Sequence, residues 1–144
     1  MFFIKREYDY AIRICAYLAG NYRKGPIAIS ELSEKLFITR PFATKIVFRL
    51  KRSNIVKTVQ GKQGGVYLDS PPDKLSLHAI IEGMGYDVTI SECIQRTDYC
   101  PLPPPCKIHS FFIEQEDSVI NHLKSHYIAE FAFTDADFDP NKTK

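Results

Sequence analysis

Ile55-Val-Lys-Thr-Val-Gln-Gly-Lys-Gln-Gly-Gly-Val-Tyr-Leu68 is the stretch that decides how the rest of the chain is read. Two short runs rich in β-branched residues, Ile55–Val59 and Val66–Leu68, flank the glycine-rich segment Gly61-Lys-Gln-Gly-Gly65, which predicts a β-hairpin. The glycines supply positive φ and let the backbone approach a phosphate or a minor groove closely, while Lys62 and Gln63 supply contacts. A nucleotide-phosphate loop is the rival reading of such a turn. It needs a Lys-Ser/Thr ending and a helix directly after it, and the sequence has neither.

Just before the hairpin, Thr39 or Arg40 caps a predicted helix that tolerates Pro41 in its first turn. Phe42, Ile46, Val47 and Leu50 supply its inward face, and Arg40, Thr44, Lys45, Arg49, Lys51 and Arg52 its flanks and outer face. Ahead of it, Ser30 is placed to cap a short helix from Glu31 to about Leu36, with Glu31 and Glu34 where the helix dipole favours anions. Phe37-Ile38-Thr39 is the turn between them. Two short helices, the second basic, make a helix-turn-helix, and the hairpin behind them is its wing. Such a helix fits the DNA major groove, with N-terminal side chains at base edges and cations on phosphates. The predicted contacts are Thr39, Arg40, Phe42, Thr44, Lys45, Arg49 and Arg52 on the helix and Lys62 and Gln63 on the wing.

The first periodic segment runs from about Arg6 to Ala19 and ends at Gly20. Tyr8, Ala11, Ile12, Cys15, Leu18 and Ala19 form its apolar stripe, so Cys15 reads as a core residue, and Asp9 stands four residues before Arg13 as an exposed ion pair. Charge follows the same division of the chain. Residues 1–70 hold 13 Lys/Arg against 5 Asp/Glu (+8), and residues 71–144 hold 6 against 12 (−6), so the modest total of +2 hides a basic front half suited to a polyanion.

Beyond the wing, Ser70-Pro71-Pro72 closes the hairpin and Leu75 to about Met84 predicts a fourth helix, ended by Gly85. Then comes Cys93-Ile-Gln-Arg-Thr-Asp-Tyr-Cys100-Pro-Leu-Pro-Pro-Pro-Cys106-Lys-Ile-His109, three thiols spaced C-x6-C-x5-C with a histidine three residues after the last. Pro101, Pro103, Pro104 and Pro105 predict a stiff, non-helical loop. A loop that gathers thiols and buries little apolar surface needs something bound to hold its shape. The charged N-terminus and the lack of a long apolar run predict a cytoplasmic protein with no membrane span and reduced thiols, so a metal or redox role fits better than disulfides.

Ile108 to about Phe131 reads as one long helix, with Phe112, Val119, Leu123 and His126/Tyr127 as a stripe widened by Phe111, Ile113 and Ile120. That surface predicts pairing with a second copy through Phe112, Val119, Leu123 and Tyr127. The expected organisation is a mainly α chain with a small β-hairpin: a winged helix-turn-helix domain at 1–85, a cysteine-rich loop at 86–110, a dimerisation helix at 108–131 and a polar, frayed tail at 132–144.

Asp9-Tyr-Ala-Ile-Arg13, the wing Gly61-Lys-Gln-Gly-Gly-Val-Tyr-Leu68, and the Cys93/Cys100/Cys106 loop ahead of a long helix together resemble the bacterial winged-helix regulators that include IscR, NsrR and CymR. The resemblance covers nearly the whole chain. It implies a homodimer crossed through the long helix, binding imperfect palindromes in double-stranded DNA. As in many members, it further implies an iron–sulfur cluster, sensing redox state, nitric oxide or iron, with Cys93, Cys100 and Cys106 as ligands, although CymR-like members act without a cluster, through a protein partner. For the fourth ligand the resemblance offers two: Asp9 of the partner subunit, as in nitric-oxide-sensing members, or His109, as in the cluster-biogenesis regulator. The Asp9-Tyr-Ala run favours Asp9 and a 4Fe–4S cluster, with 2Fe–2S as the other form. The six-residue first spacing and the proline-rich second gap are this chain's own.

Two other readings keep the DNA binding without a cluster. Three Cys and one His also suit a structural zinc, although such loops bring cysteines in close pairs that this one lacks. Free cysteines acting as a thiol switch, or a rear half that binds a partner protein, form the second. An enzyme is the reading least supported, since His78, His122 and His126 lie on helical segments with no Ser or Cys partner at a suggestive spacing.

Overall fold

In a computed structural model of the protein, β1 (Val56–Val59) and β2 (Gly65–Leu68) pair antiparallel, with Val56 opposite Leu68 and Val59 opposite Gly65. The structure describes residues 4–138 apart from 97, 99 and 104; Pro104 of the cysteine loop and residues 139–144 of the expected tail lie outside these. Val56, Val66 and Leu68 turn inward while Lys57 and Tyr67 face out, as strand alternation requires. Gly61, at φ +107°, makes the reversal at the wing tip. Ile27 adds a bridge to β2, with each of Ile27 and Val66 donating its N–H to the other's carbonyl at 2.9 and 2.8 Å.

Three helices hold this hairpin: α1 (Arg6–Gly20), α2 (Ile29–Leu36) and α3 (Arg40–Arg52). Leu32 and Leu36 of α2 and Ala43, Ile46, Val47 and Leu50 of α3 bury one face each against α1, which is the helix-turn-helix arrangement. One capping expectation changes: helix α2 starts earlier, with Ala28 at its cap and Ser30 inside the first turn, whereas Thr39 is the cap residue of α3 as expected, though without a side-chain hydrogen bond. Phe42 is half-buried, set edge-on to Tyr10, while Ala43 takes the innermost place. Cys15 is fully buried, and burial pushes its thiol up to about 12, as befits a core residue.

Helix α4 (Leu77–Gly83) is capped by Ser76, whose hydroxyl accepts the Ala79 N–H at 3.1 Å, and it packs on both α1 and α3. The cysteine loop is less irregular than expected. It contains a short helix α5 (Glu92–Gln95), which carries Cys93 and packs against α6 (Lys107–Ser125).

The C-terminal quarter departs most from expectation. Helix α6 stops at Ser125, and the chain turns back as an antiparallel bridge between Ser76 and Tyr127. Leu77 donates its N–H to the His126 carbonyl at 2.9 Å, and Ile128 donates to Leu75 at 2.8 Å. The reason is burial: the return sends Ile128, 0% exposed, into the shared core, worth roughly 1.5–3 kcal/mol. A 3-10 turn, Ile128–Phe131, follows, and then a second, Asp135–Phe138, where a frayed tail was expected. Phe133 sets its ring against Tyr17 and Phe138, and Asp135 accepts hydrogen bonds from the Tyr17 hydroxyl (3.1 Å) and the Lys35 ammonium (2.8 Å). Thus 128–138 belongs to the winged domain. Among the described residues no helix is long and apolar enough to cross a membrane.

Candidate functional site

The outer face of α3 and the hairpin form one shallow groove of about 370 Å³. Arg40, Thr44, Phe48 and Lys51 line it from the helix, and Val59, Gln60, Gly61 and Gly64 from the wing. Spacings of four, four and three residues put those helix side chains on one face. Thr44 is held there by a bond from its hydroxyl to the Arg40 carbonyl at 2.9 Å. The wing tip presents Lys62 and Gln63, both exposed, and Thr39 is exposed at the start of α3.

The expected DNA contacts do not all share this groove. Lys45 and Arg49 lie on the neighbouring face, where both reach the Glu7 carboxylate of α1, at 2.9 and 2.8 Å. The Lys45 hydrogen bond, with help from Arg49, holds the Glu7 carboxyl below its ordinary value. Phe42 packs inward with the Lys45 ammonium over its ring at 5.7 Å, and Arg52 borders a separate hollow with Arg49 and Met84. Of the groove's lining, sequence reasoning named neither Phe48 nor Gln60, and it placed Lys51 on the outer face of the helix without offering it as a contact. Helical spacing from Arg40 would have found Phe48 and Lys51; Glu7, 38 residues from Lys45, gives no local signal.

The second feature is a cleft of about 550 Å³ that brings Cys93, Cys100 and Cys106 together with His109. Arg96, Leu102 and Phe112 help to wall it. Cys93 is half-buried on α5, where the Ser91 hydroxyl donates to its sulfur at 3.2 Å and accepts its N–H at 3.4 Å. Cys106 is the cap residue at the start of the 19-residue helix α6. Cys100 is exposed. The loop is tied to α6 by the Ile90 N–H, which donates to the Glu116 carboxylate at 3.1 Å.

Three thiols and an imidazole are donors of the kind an iron–sulfur cluster takes. Among the described residues no three Cys, His, Asp or Glu side chains converge closely enough to hold a single metal ion. Asp9 is exposed on α1 and accepts a hydrogen bond from Arg13 at 2.6 Å, the expected i,i+4 pair, while Arg13 also donates to the Leu36 carbonyl at 3.3 Å.

The stripe expected to pair two copies is partly used within the chain. Val119, Ile120 and Leu123 pack half-buried on the chain's own core, Phe112 walls the cleft, and Tyr127 sits in the bridge to Ser76. The apolar side chains α6 leaves most open are Ile108, Phe111 and Ile113.

A family model described as an iron-dependent transcriptional regulator, Rrf2, matches residues 4–133. The chain is 21% identical over 130 residues to the HTH-type transcriptional regulator NsrR of Shouchella clausii, covering 90% of this chain and 87% of that protein. It is 26% identical over 106 residues to NsrR of Oceanobacillus iheyensis, covering 73% and 72%. In fold it is similar to CymR, the global cysteine regulator of B. subtilis, with a TM-score of 0.76 at 22% identity, covering 92% of this chain and 100% of that one. It is also similar to IscR of T. potens, with a TM-score of 0.71 at 18% identity, covering 98% and 91%. With a winged helix and a basic recognition face already in place, the chain belongs to the Rrf2 family of transcriptional regulators and is a DNA-binding regulator rather than an enzyme.

Proposed function

We propose that this regulator is a cytoplasmic, homodimeric repressor of palindromic operators, and that an iron–sulfur cluster on Cys93, Cys100 and Cys106 sets its operator affinity in response to nitric oxide, redox state or iron. The observation that carries the reading is the single cleft that gathers all three loop thiols and His109 at the start of α6. The family's description as iron-dependent supports it further. We favour a 4Fe–4S cluster whose fourth ligand is Asp9 of the partner subunit; a 2Fe–2S cluster completed by His109, which already stands in the cleft, is the second reading.

When bound, the cluster supplies thiolate-ligated iron close to solvent, open to nitric oxide or oxidants. The chain's own residues do the rest. Ser91 orients Cys93, and the Glu116 bond to Ile90 ties the loop to α6. Helix α6 packs on α4, which packs on α1 and α3, so the shape of the loop reaches the recognition helix through contiguous packing. In a dimer joined through α6, small shifts along this path would change the spacing of two recognition helices, which must match half-sites about 34–36 Å apart.

Iron, acid-labile sulfide and zinc measured on protein purified without air test the cofactor. About four iron and four sulfide per chain is the expected result for a 4Fe–4S site. A colourless protein holding zinc or no metal, even after anaerobic reconstitution, would overturn the cluster and leave a thiol- or partner-controlled regulator.

A further inference from the structure

The recognition helix carries one large apolar side chain that its own fold does not use. Phe48 is 59% exposed, whereas Ala43, Ile46, Val47 and Leu50 of the same helix are buried. A lone exposed phenylalanine is ordinary on a protein surface. This one stands on the face shared by Arg40, Thr44 and Lys51, inside the groove between α3 and the wing. Val59, the last residue of β1 and 46% exposed, lines the same groove. The groove's lining therefore includes two exposed apolar side chains, Phe48 and Val59, with a cation toward each end of its helical wall, Arg40 and Lys51.

That combination calls for a polyanion that itself offers an apolar group. Duplex DNA is one: its phosphates flank a major groove into which the thymine 5-methyl projects, and this methyl is the apolar mark that distinguishes one base there. We propose that Phe48 is a specificity-determining residue that packs on a thymine methyl in each operator half-site. The inference rests on the reading of α3 as the recognition helix and deepens it. Arg40 and Thr44 provide polar and charged contacts; Phe48 adds a preference for thymine that hydrogen bonding from those two does not supply.

Selection from a random duplex library, run in parallel with the wild-type protein and Phe48→Ala, reads the preference directly. The wild type should enrich thymine at a symmetric pair of positions, and the variant should lose that preference while keeping the others. The selected duplex is then titrated with deoxyuridine in place of those thymines. The wild type should bind it about fourfold more weakly per methyl removed, and Phe48→Ala should bind both duplexes equally. The deoxyuridine comparison on the wild type needs no variant, so it decides even if Phe48→Ala unfolds.

Indifference of the wild type to deoxyuridine would overturn the proposal. So would an unchanged thymine preference in the variant, or a uniform loss of affinity on every sequence, which is the mark of packing on the DNA backbone. A wild type that enriches no duplex at all would overturn the reading of α3 as the recognition helix, and the Phe48 proposal with it.

Discussion

The Glu7 carboxylate on α1 accepts a hydrogen bond from the Lys45 ammonium of the recognition helix at 2.9 Å, and its second oxygen accepts one from Arg49 at 2.8 Å. Two cations that the sequence offers to DNA are thus engaged within the protein, where they pin α3 to α1. Any phosphate that recruits them competes with Glu7. The pair therefore braces α3 against α1 and, on the proposal that Lys45 and Arg49 meet phosphates, would also hold DNA binding back.

Glu7→Gln should tighten operator binding at low salt and steepen its salt dependence by about one to two phosphate contacts, read from log affinity against log salt. The variant should also lose about 1 kcal/mol or less of stability, since the partners are half-exposed. Because the Lys45 hydrogen bond depresses the folded-state value of Glu7 below 4.5, this stabilisation is present above that pH and is lost as pH falls through the lowered value. Urea midpoints of the wild type and variant should therefore converge on acidification below pH 4.5. Unchanged affinity and salt slope would mean that neither cation reaches DNA.

Arg40 is exposed at the start of α3 and faces the wing across the groove. Arg40→Ala should weaken operator binding by about 1–3 kcal/mol in fluorescence anisotropy, with the melting temperature unchanged. Full affinity in this variant would place the DNA elsewhere on the protein.

At Gly20 a Cβ atom would lie 2.0 Å from the Phe133 carbonyl oxygen, on the segment that returns from α6. Gly20→Ala should therefore cost about 1–3 kcal/mol, by analogy with other overpacked contacts, and should loosen that return. Thermal melts report the first effect, and faster amide exchange over residues 128–138 the second. A variant with wild-type stability and exchange would show that the return is not held there.

His109 and Asp9 are separated by one pair of variants. If Asp9 of the partner subunit is the fourth ligand, Asp9→Ala should lower iron and sulfide retention while His109→Ala leaves it intact. Cys100→Ala should abolish retention in either case and leave the dimer unchanged by sizing chromatography. The opposite pattern for Asp9 and His109 would assign the histidine and the 2Fe–2S form.

What the sequence made legible was local. The wing could be read because its strands alternate around glycines, and α3 because Ile46, Val47 and Leu50 repeat at helical spacing. The cysteine cleft was legible because its donors lie within one short stretch. The return after Ser125 was not, because Tyr127, Ile128 and Phe131 continue the apolar pattern of α6, while what holds the return is the backbone pairing of Ile128 with Leu75 and the burial of Ile128, partners far apart in the chain. The Glu7 brace and the Asp135 contacts to Tyr17 and Lys35 were hidden for the same reason, their partners being 38 to 118 residues away.

The most direct test of a cluster that governs DNA binding is operator affinity measured without air on one preparation, before and after the cluster is removed with nitric oxide. The account predicts that the two forms differ by about 5–150-fold, the range of an ordinary allosteric coupling. Equal affinities for the two forms would contradict it.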